Sequence, residues 1–493
     1  MGDSESIQPY NEKNANQGAK TIPNAFNTAK DRLNLVKDAS NTAKDSDVQE
    51  KTKKSLRYSV YDGAAASVME GAGNNYIAPF GIAMNANNTE IGLLTSMPNL
   101  IAPLFQVKAT NLMERFSRKK IVLMAVLFHA ILWIPILAIP FFFIDQGPIL
   151  LVIFFTTFAI AGSFAGPAWT SWMGDLVPED DRGKYFGRRN RIAGFVALTS
   201  TLIASRFLDY FKENNKVFIG FAVLFFIAML FRLLSRYYLS KKYEPGFIVD
   251  KSKYFSFWEF SKKIRDNNFG RFVIYLALMQ FAANIAGPFF AVYMLKNLNL
   301  SYMQFTIINI ASTIATLLTM PFWGKLADKY GNINILRITG LLIAFVPINW
   351  LFSSNWIFLV IANIFAGFAW AGFNLCTGNF IYDSTTRERR ALCVSYYNIY
   401  IGIGVFIGAT IGGLIATFAS IKFMHIFLFI FLLSGIARLV VSLIFLPKLE
   451  EKRLKQPKKL RVWELIDTSH MAGTMHNVRS FSLRLYRKGR KEP

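Results

Sequence analysis

The chain has few of the side chains that bind metals or perform covalent chemistry, since its 493 residues include only two cysteines and four histidines. Cys376 and Cys393 are too few for a disulfide framework or a cysteine-rich zinc site. His470 and His476 have no companion ligands nearby in the sequence, so no metal is expected. A glycine-rich phosphate loop and a cluster of catalytic side chains are also missing. We therefore expect neither a cofactor nor an enzyme.

Acidic residues are scarce as well, because 31 Asp and Glu stand against 55 Lys and Arg, a formal net charge of +24. The basic residues concentrate in alternate connections between apolar segments, which is typical of the cytoplasmic connections of membrane proteins. We therefore predict a protein of the cell membrane with both termini in the cytoplasm and no nucleic-acid partner. The basic connections are 115–120, 182–191, 240–268, 325–329 and 387–390.

Apolar residues are abundant, at 53% of the chain. Many stretches approach the roughly 20 apolar residues that cross a hydrocarbon core. We predict an all-α membrane protein with twelve transmembrane helices, of which the first is the least apolar because Asp62, Glu70 and two asparagines interrupt it. The predicted helices cover 59–84, 91–112, 120–143, 148–174, 188–210, 216–239, 270–295, 303–325, 333–352, 355–381, 389–418 and 423–447.

The second half of the sequence repeats the first. Three polar residues recur with unchanged spacing at an offset of 208 (383 − 175, 390 − 182, 398 − 190). A repeat of this length indicates a duplicated domain rather than a solenoid. We therefore predict two pseudo-symmetric six-helix bundles at 57–240 and 269–447. The recurring residues are Asp175 and Asp383, Arg182 and Arg390, and Asn190 and Asn398.

Three polar segments complete the predicted organisation. Residues 1–56 form a polar cytoplasmic tail without the apolar core of a signal peptide, and 448–493 form a basic cytoplasmic tail. Residues 241–268 alternate charged and aromatic side chains, which is typical of a helix lying in the membrane interface. A plain aromatic-rich linker is the alternative interpretation.

Polar side chains within the predicted spans mark the candidate binding site. A charge at bilayer depth costs on the order of 3 kcal/mol, so Glu70 is a functional candidate. Asn74 follows it on the same helix face, and Gln280 and Asn284 repeat this spacing in the seventh span. Transporter sites lie near the midplane between repeats, so we expect Glu70 to bind a proton, a cation or a cationic part of the solute, and the amides to bind the solute. Asn75 is an equally good match to Asn284, and the alternative role of the amides is to join helices by hydrogen bonds.

Three further side chains are candidates for the walls of a cavity. They are Trp169 in the fourth span, Asn374 in the tenth and Tyr397 in the eleventh. Tryptophan beside small residues can line a cavity, but it also anchors helices at the membrane interface. We expect the first role for Trp169 and the second for Trp172.

A short segment after the eighth predicted span carries a family resemblance. It reads Gly-Lys-Leu-Ala-Asp-Lys-Tyr-Gly from Gly324 to Gly331. This resembles the Gly-x-Leu-Ala-Asp-Arg-x-Gly signature of the major facilitator superfamily, which lies between helices two and three and between helices eight and nine. The first copy, at 110–120, is degenerate here. The resemblance implies a secondary active transporter, a monomer that moves a small solute, with or without a co-transported proton or cation, by alternating access.

The resemblance also implies gate residues at the cytoplasmic end of the protein. Asp328, in the same signature as Gly324, would contact the neighbouring bundle, where a helix N-terminus favours an anion. Simple helix-end charges are the alternative interpretation, since surface ion pairs contribute little. The other implied gate residues are Asp175, Arg182, Asp383 and Arg390.

The sequence departs from the family pattern at several points. The fifth span lacks the Gly-Pro-x-x-x-Gly-Gly run of the family's drug and proton antiporters, and the membrane part of the fourth span has no arginine. The long basic and acidic signatures of sugar porters are missing too. These departures leave the substrate, the direction and the coupling ion open. A non-transporting receptor or sensor on the same scaffold is the alternative function.

Overall fold

The computed structural model describes residues 24–113, 115–143, 146–178, 181–246, 256–385 and 390–451, and these are helical without any strand. Ten of the described spans are long and apolar enough to cross a membrane. The helices before them, which carry the polar residues of the first predicted span, bring the total to twelve. The predicted all-α membrane fold with twelve helices is therefore confirmed.

The helices of the first half follow each other through short connections. Their bounds are α1 Asn24–Ala72, α2 Ile77–Ala83, α3 Asn88–Leu112, α4 Arg118–Ile131, α5 Trp133–Phe142, α6 Gly147–Leu176, α7 Arg182–Glu213 and α8 Val217–Ser240.

A short linker helix precedes the helices of the second half. The bounds are α9 Phe257–Lys262, α10 Asn268–Ala286, α11 Phe289–Val292, α12 Tyr302–Tyr330, α13 Asn332–Ile348, α14 Trp356–Ser384, α15 Arg390–Phe418 and α16 Ile426–Phe445.

The same helix pairs pack against each other in both halves. In the first half α1 packs on α7 and α8, and α6 packs on α3 and α4. In the second half α10 packs on α15 and α16, and α14 packs on α12 and α13. Between the halves, α3 contacts α15 and α7 contacts α12. The repeat in the sequence thus corresponds to two similarly packed bundles. Their exact boundaries at 57–240 and 269–447 stay a prediction.

The first and seventh spans are interrupted at equivalent places. The helix predicted at 59–84 is not continuous, because α1 ends at Ala72 and a 3₁₀ turn, Asn74–Tyr76, separates it from α2. The seventh span breaks after Ala286 and ends in a π-helical turn at Tyr293–Asn297. Proline has no N–H, so Pro79 cannot bond the carbonyl of the residue four positions earlier, and neither can Pro288. Those earlier residues are Asn75 and Asn284.

The linker helix α9 attaches to the second half. The ring of Phe257 lies 5.5 Å from that of Tyr396, and the ring of Phe260 lies 5.7 Å from it. Tyr400 Oη also donates to Ser261 Oγ at 2.9 Å. The aromatic face therefore packs on α15 rather than on lipid alone. Residues 247–255, which hold the other predicted interfacial aromatics, lie outside the described residues.

Three glycines of α15 allow the backbone of α10 to approach closely. Gly404, Gly408 and Gly412 recur every four residues, so they form one stripe on the helix face. A Cβ atom at Gly408 would overlap the carbonyl oxygen of Phe281. This contact is the close backbone approach that small residues permit in membranes.

Replacing Gly408 by alanine should destabilise the protein. The added methyl group has no space, and overpacking of this kind costs about 1–3 kcal/mol. Thermal unfolding of the purified protein in detergent measures the effect. Gly378→Ala is the matched control, because no described atom lies within 4 Å of its Cβ position. Equal melting temperatures for the two variants would contradict the packing argument.

Candidate functional site

The polar residues of the first span lie at its break. Asn74 Nδ2 donates to Glu70 Oε2 at 2.8 Å, which confirms that the two side chains share a helix face. The Glu70 side chain is exposed and Asn74 is partly buried. Asn75 Nδ2 donates to Thr201 Oγ1 of α7 at 3.1 Å. The break thus directs one amide toward Glu70 and the next toward α7.

The equivalent residues of the seventh span also bond to each other. Asn284 Nδ2 donates to the backbone oxygen of Gln280 at 2.8 Å and lies 3.4 Å from its Oε1. Both residues are partly buried. The repeat therefore places a pair of polar side chains at the break of the first span and shortly before the break of the seventh.

A cavity of about 330 Å³ lies between the 3₁₀ turn of the first span, α7 and α12. Of the predicted binding residues, its wall contains Asn75. The other predicted binding residues are not part of this wall: Glu70, Asn74, Gln280, Asn284, Trp169, Asn374 and Tyr397. The amide and hydroxyl groups of the wall belong to both halves of the chain. The polar residues are Asn75, Tyr76, Thr201, Thr306, Asn309 and Thr313.

One end of the cavity is closed by hydrogen bonds between the halves. Tyr76 Oη donates to the backbone oxygen of Thr201 at 2.7 Å and lies 3.0 Å from Thr306 Oγ1. Beyond it, the carboxylate of Asp209 accepts from the backbone N–H groups of Tyr302 at 2.7 Å and Met303 at 2.9 Å. Because the N-terminus of a helix favours an anion, Asp209 binds the start of α12.

The same end carries a second contact between the halves, where α3 begins and α15 ends. Asn88 Nδ2 donates to the backbone oxygen of Ala416 at 2.9 Å, and the hydroxyls of Thr89 and Thr417 are 3.0 Å apart. The start of α3 corresponds to the start of α12 in the repeat, so this contact mirrors the one made by Asp209. Both sides of the interface are thus joined at the end opposite the linker.

Toward the linker end, α7 is less crowded. No described atom lies within 4 Å of the Cβ positions of Gly183, Gly187 and Gly194. On the other side of the interface, Asn398 Nδ2 still donates to Gln106 Oε1 at 3.2 Å. Space is therefore open beside these glycines of α7, while α3 and α15 stay in contact.

A buried ion pair links α1 to α7 and α8. Asp62 is 3% exposed, accepts from Ser235 Oγ at 2.6 Å and lies 3.7 Å from Arg189 Nη2. The guanidinium of Arg189 lies 4.6 Å from the ring centroid of Trp169. The predicted cavity residue Trp169 thus packs against an arginine whose counter-ion is Asp62.

Lys242, directly after α8, is also buried, with 1% of its surface exposed. Its Nζ lies 4.5 Å from the centroid of the Trp172 ring and 3.1 Å from Met173 Sδ. Burial lowers the pKa of Lys242 to about 8, Asp62 opposes this decrease, and the positive charges of Arg189 and Lys119 add to it. Trp172 is completely buried and donates to the backbone oxygen of Tyr243 at 2.8 Å.

The prediction that Trp172 anchors the protein at the membrane interface is therefore wrong. The indole of Trp172 lies in the core. The backbone that follows α8 packs over α6 there, and the carbonyl oxygen of Tyr243 accepts the hydrogen bond from Trp172 Nε1. The positive charge of Lys242 then covers the ring face, which is a favourable cation–π geometry.

The predicted gate residues Asp175 and Asp383 make equivalent contacts within their own halves. Asp175 Oδ2 accepts from Arg118 Nη1 at 2.6 Å, and Asp383 Oδ2 accepts from Asn332 Nδ2 at 3.0 Å. Arg118 and Asn332 are the first residues of α4 and α13, so each aspartate joins two neighbouring helix ends. Arg182 donates to backbone oxygens of its own half, including that of Gly174 at 2.7 Å.

The remaining predicted residues are spread over other surfaces. Asp328 is exposed near the end of α12, and Gly324 is partly buried one turn before it. Asn374 is exposed on α14, and Tyr397 is partly buried on α15. The side chain of Arg390 lies outside the described residues.

A comparison of the sequence with models of known protein families gives the family of the chain. The family model of the Major Facilitator Superfamily matches residues 63–269 and 272–487. The chain belongs to the major facilitator superfamily. It is therefore a multi-pass membrane protein of a transporter family, and the resemblance seen in the sequence is confirmed.

Individual relatives of this superfamily member are distant. An uncharacterised MFS-type transporter of Methanocaldococcus jannaschii is 25% identical over 387 residues, which cover 77% of this chain and 95% of that protein. The MFS-type transporter sphD of Aspergillus fumigatus is 25% identical over 112 residues, only 23% of this chain and 19% of that one.

Solved structures show the same fold. A variant of the nucleoside transporter NupG superposes with a TM-score of 0.64 at 12% identity, covering 80% of this chain and 100% of that one. The xylose transporter XylE from E. coli, in an inward open conformation, gives 0.57 at 15% identity over 83% and 98% of the two chains. At these identities the likeness establishes the fold alone.

Sequence reasoning missed four buried charges of this superfamily member: Asp62, Arg118, Asp209 and Lys242. The signal for Asp62 was available, since the cost of burying a carboxylate applies to it as it does to Glu70. Asp209 and Lys242 lie near predicted helix ends, where charges are common. Only their burial, at 5% and 1% exposed, distinguishes them from ordinary surface charges.

Replacing Lys242 by methionine should stabilise the protein near neutral pH by up to about 3 kcal/mol, because no ammonium group is then buried. Between pH 8 and the usual lysine pKa of 10.5, the folded protein loses the Lys242 proton while the unfolded chain keeps it. The free energy of unfolding of the wild type should therefore rise with pH in this window.

Melting temperatures of the two proteins across this pH range measure the difference. The exposed neighbour supplies the matched control, Lys241→Met, which should keep the rise. If the melting temperature rises equally with pH in Lys242→Met and in the wild type, a group other than Lys242 causes the rise.

Proposed function

We propose that this protein is a secondary active transporter that moves a small solute by alternating access, as a monomer. The observation that carries the proposal is the cavity between the two halves of the repeat, with one end closed by Tyr76 and Asp209. Membership of a transporter superfamily supports it, and so do the paired interruptions of the first and seventh spans. Interrupted helices at a repeat interface commonly form transporter binding sites.

The cavity wall favours an uncharged, polar solute. Its polar groups are the amides of Asn75 and Asn309 and the hydroxyls of three threonines and Tyr76. Amides and hydroxyls both donate and accept hydrogen bonds, so they complement solutes with several hydroxyl or amide groups. The fold relatives that transport a nucleoside and xylose handle solutes of this kind. We propose a small hydroxylated solute as the cargo.

Glu70 is the proposed coupling residue. Its carboxylate is exposed next to the break of the first span and accepts a hydrogen bond from Asn74. In the same bundle, the partly buried Arg232 of α8 donates from Nε to His129 Nδ1 at 3.1 Å. Proton or cation binding at Glu70 would therefore change the charge balance inside the first bundle.

The basic connections lie at the linker end, so we propose that this end faces the cytoplasm. The end closed by Asp209 then faces the outside. In this conformation the solute reaches the cavity from the cytoplasm. Opening toward the outside requires the contacts of Asp209 and of Asn88 with the opposite half to separate. The predicted gate residues would then close the cytoplasmic end in the opposite conformation. These residues are Asp175, Arg182, Gly324, Asp328, Asp383 and Arg390.

Replacing Glu70 by glutamine should remove the pH dependence of transport while solute exchange continues, because glutamine keeps the hydrogen bond but cannot ionise. Uptake and counterflow of pentoses and nucleosides into proteoliposomes, measured across a pH series, test this. Glu213→Gln is the control, since Glu213 is 68% exposed at the end of α7. Unchanged pH dependence in Glu70→Gln would remove the coupling role. Binding of these solutes by the wild type without counterflow would favour a receptor instead.

Replacing Asp209 by asparagine should open the outer end of the cavity more often, because a neutral amide binds the N-terminus of α12 less strongly. The interaction of a carboxylate with a helix N-terminus contributes up to about 2 kcal/mol in partly buried sites. A loss of about 1–2 kcal/mol changes the ratio of open to closed molecules about five- to thirtyfold. Asn309→Cys supplies the probe, in a chain carrying Cys376→Ser and Cys393→Ser.

The rate at which an impermeant thiol reagent labels this cysteine from outside should rise in right-side-out vesicles. Glu213→Gln should leave the rate unchanged, since its carboxylate does not bind α12. Equal rates with and without Asp209→Asn would mean that Asp209 does not hold the outer end closed.

A further inference from the structure

A second cavity, of about 460 Å³, forms a groove on the outer surface of the first bundle. It runs between α4 and α6, and the connection between α3 and α4 closes it at the linker end. Its floor includes the small side chains Ala125 and Ala161, and its walls include Met124, Phe128 and Phe164. Phe128 is 55% exposed and Met124 is 44% exposed, so the groove opens to the surroundings of the bundle.

The interior of the groove has no polar group available to a ligand. Its one hydroxyl, that of Thr157, donates to the backbone oxygen of Ile153 at 2.9 Å. A groove of this kind on a membrane-spanning bundle faces the hydrocarbon core, where it accommodates a hydrocarbon chain. A water-soluble solute would leave its own polar groups without partners there.

The length of the groove matches one leaflet of the membrane. Along α4 the lining runs from Lys120 to Leu132, which at 1.5 Å per residue is about 18 Å. Half of a hydrocarbon core is about 15 Å thick. A single acyl chain that starts at the membrane surface would therefore lie along the whole groove.

The charge at the end of the groove indicates the headgroup. Lys120 lies at the linker end, and its Nζ is 5.2 Å from the ring centroid of Phe116. Arg115, on the same connection, is exposed as well. The corresponding position of the second half is the uncharged Asn334, since α4 begins at Arg118 and α13 at Asn332. The first half therefore offers a cationic site at headgroup level that its repeat lacks at this position.

We propose that this groove binds one anionic phospholipid from the leaflet on the linker side. One acyl chain lies between α4 and α6, and the phosphate lies against Lys120 with Arg115 beside it. Attraction of a lysine to an anionic headgroup gives the site its preference over zwitterionic lipids. The contacts of the acyl chain with α4 and α6 give the lipid a fixed position.

Native mass spectrometry of the full-length protein in neutral detergent tests the site. Titration with phosphatidylglycerol should show one lipid that binds about fivefold more tightly than phosphatidylcholine with the same chains. Lys120→Gln should abolish this preference, so that both lipids bind with similar affinity. Ala161→Leu, which fills the floor of the groove, should weaken the binding of both lipids.

The control is Lys216→Gln, which removes an exposed lysine at the opposite end of the first half and should keep the preference. Melting temperatures without added lipid verify that each variant is folded. If Lys120→Gln retains the preference for phosphatidylglycerol, the phosphate is not held at Lys120. If Ala161→Leu binds both lipids as the wild type does, the lipids bind elsewhere and the groove is not the site.

Discussion

Inside a membrane there is no water to pair with a polar group, so every interruption of a helix and every buried charge needs a partner from the protein. The first and seventh spans show the consequence. Proline frees the carbonyls of Asn75 and Asn284, and amide side chains gather at the same two places. The irregular backbone is tolerated there because it borders a cavity or another helix. This constraint links the fold to the candidate binding site.

The same constraint explains how the proposed outer end can be closed and, in the proposed transport cycle, able to open. Asp209 is buried with two N–H groups of α12 as its partners, and these belong to the other half of the chain. If the halves separate, water replaces the N–H groups as the partner of the carboxylate. Both arrangements satisfy the charge, so the difference in free energy between them is small. A contact of this kind suits a protein that alternates between two conformations.

The two halves share helix packing but not their buried charges. In the first half Asp62 compensates Arg189, while Lys242 is covered by tryptophan rings. In the second half Arg438, 2% exposed, donates to the backbone oxygens of Ile343 and Ala283 instead of a carboxylate. The two halves thus have the same helix packing, but their buried charges have different kinds of partner. Among the described residues, the buried carboxylate that compensates an arginine therefore lies in the first half.

Local periodicity and the repeat were enough to predict the twelve helices, the two bundles, and the shared face of Glu70 and Asn74, because these features depend on neighbours in the sequence. The partners of Asp62, Asp175 and Asp209 could not be predicted. Each partner lies on another helix, 57 to 173 residues away. Which face a helix turns toward its neighbours is set by side-chain packing between helices. For that reason only the tertiary structure decided that Asn75 borders the cavity and that Asp175 joins Arg118.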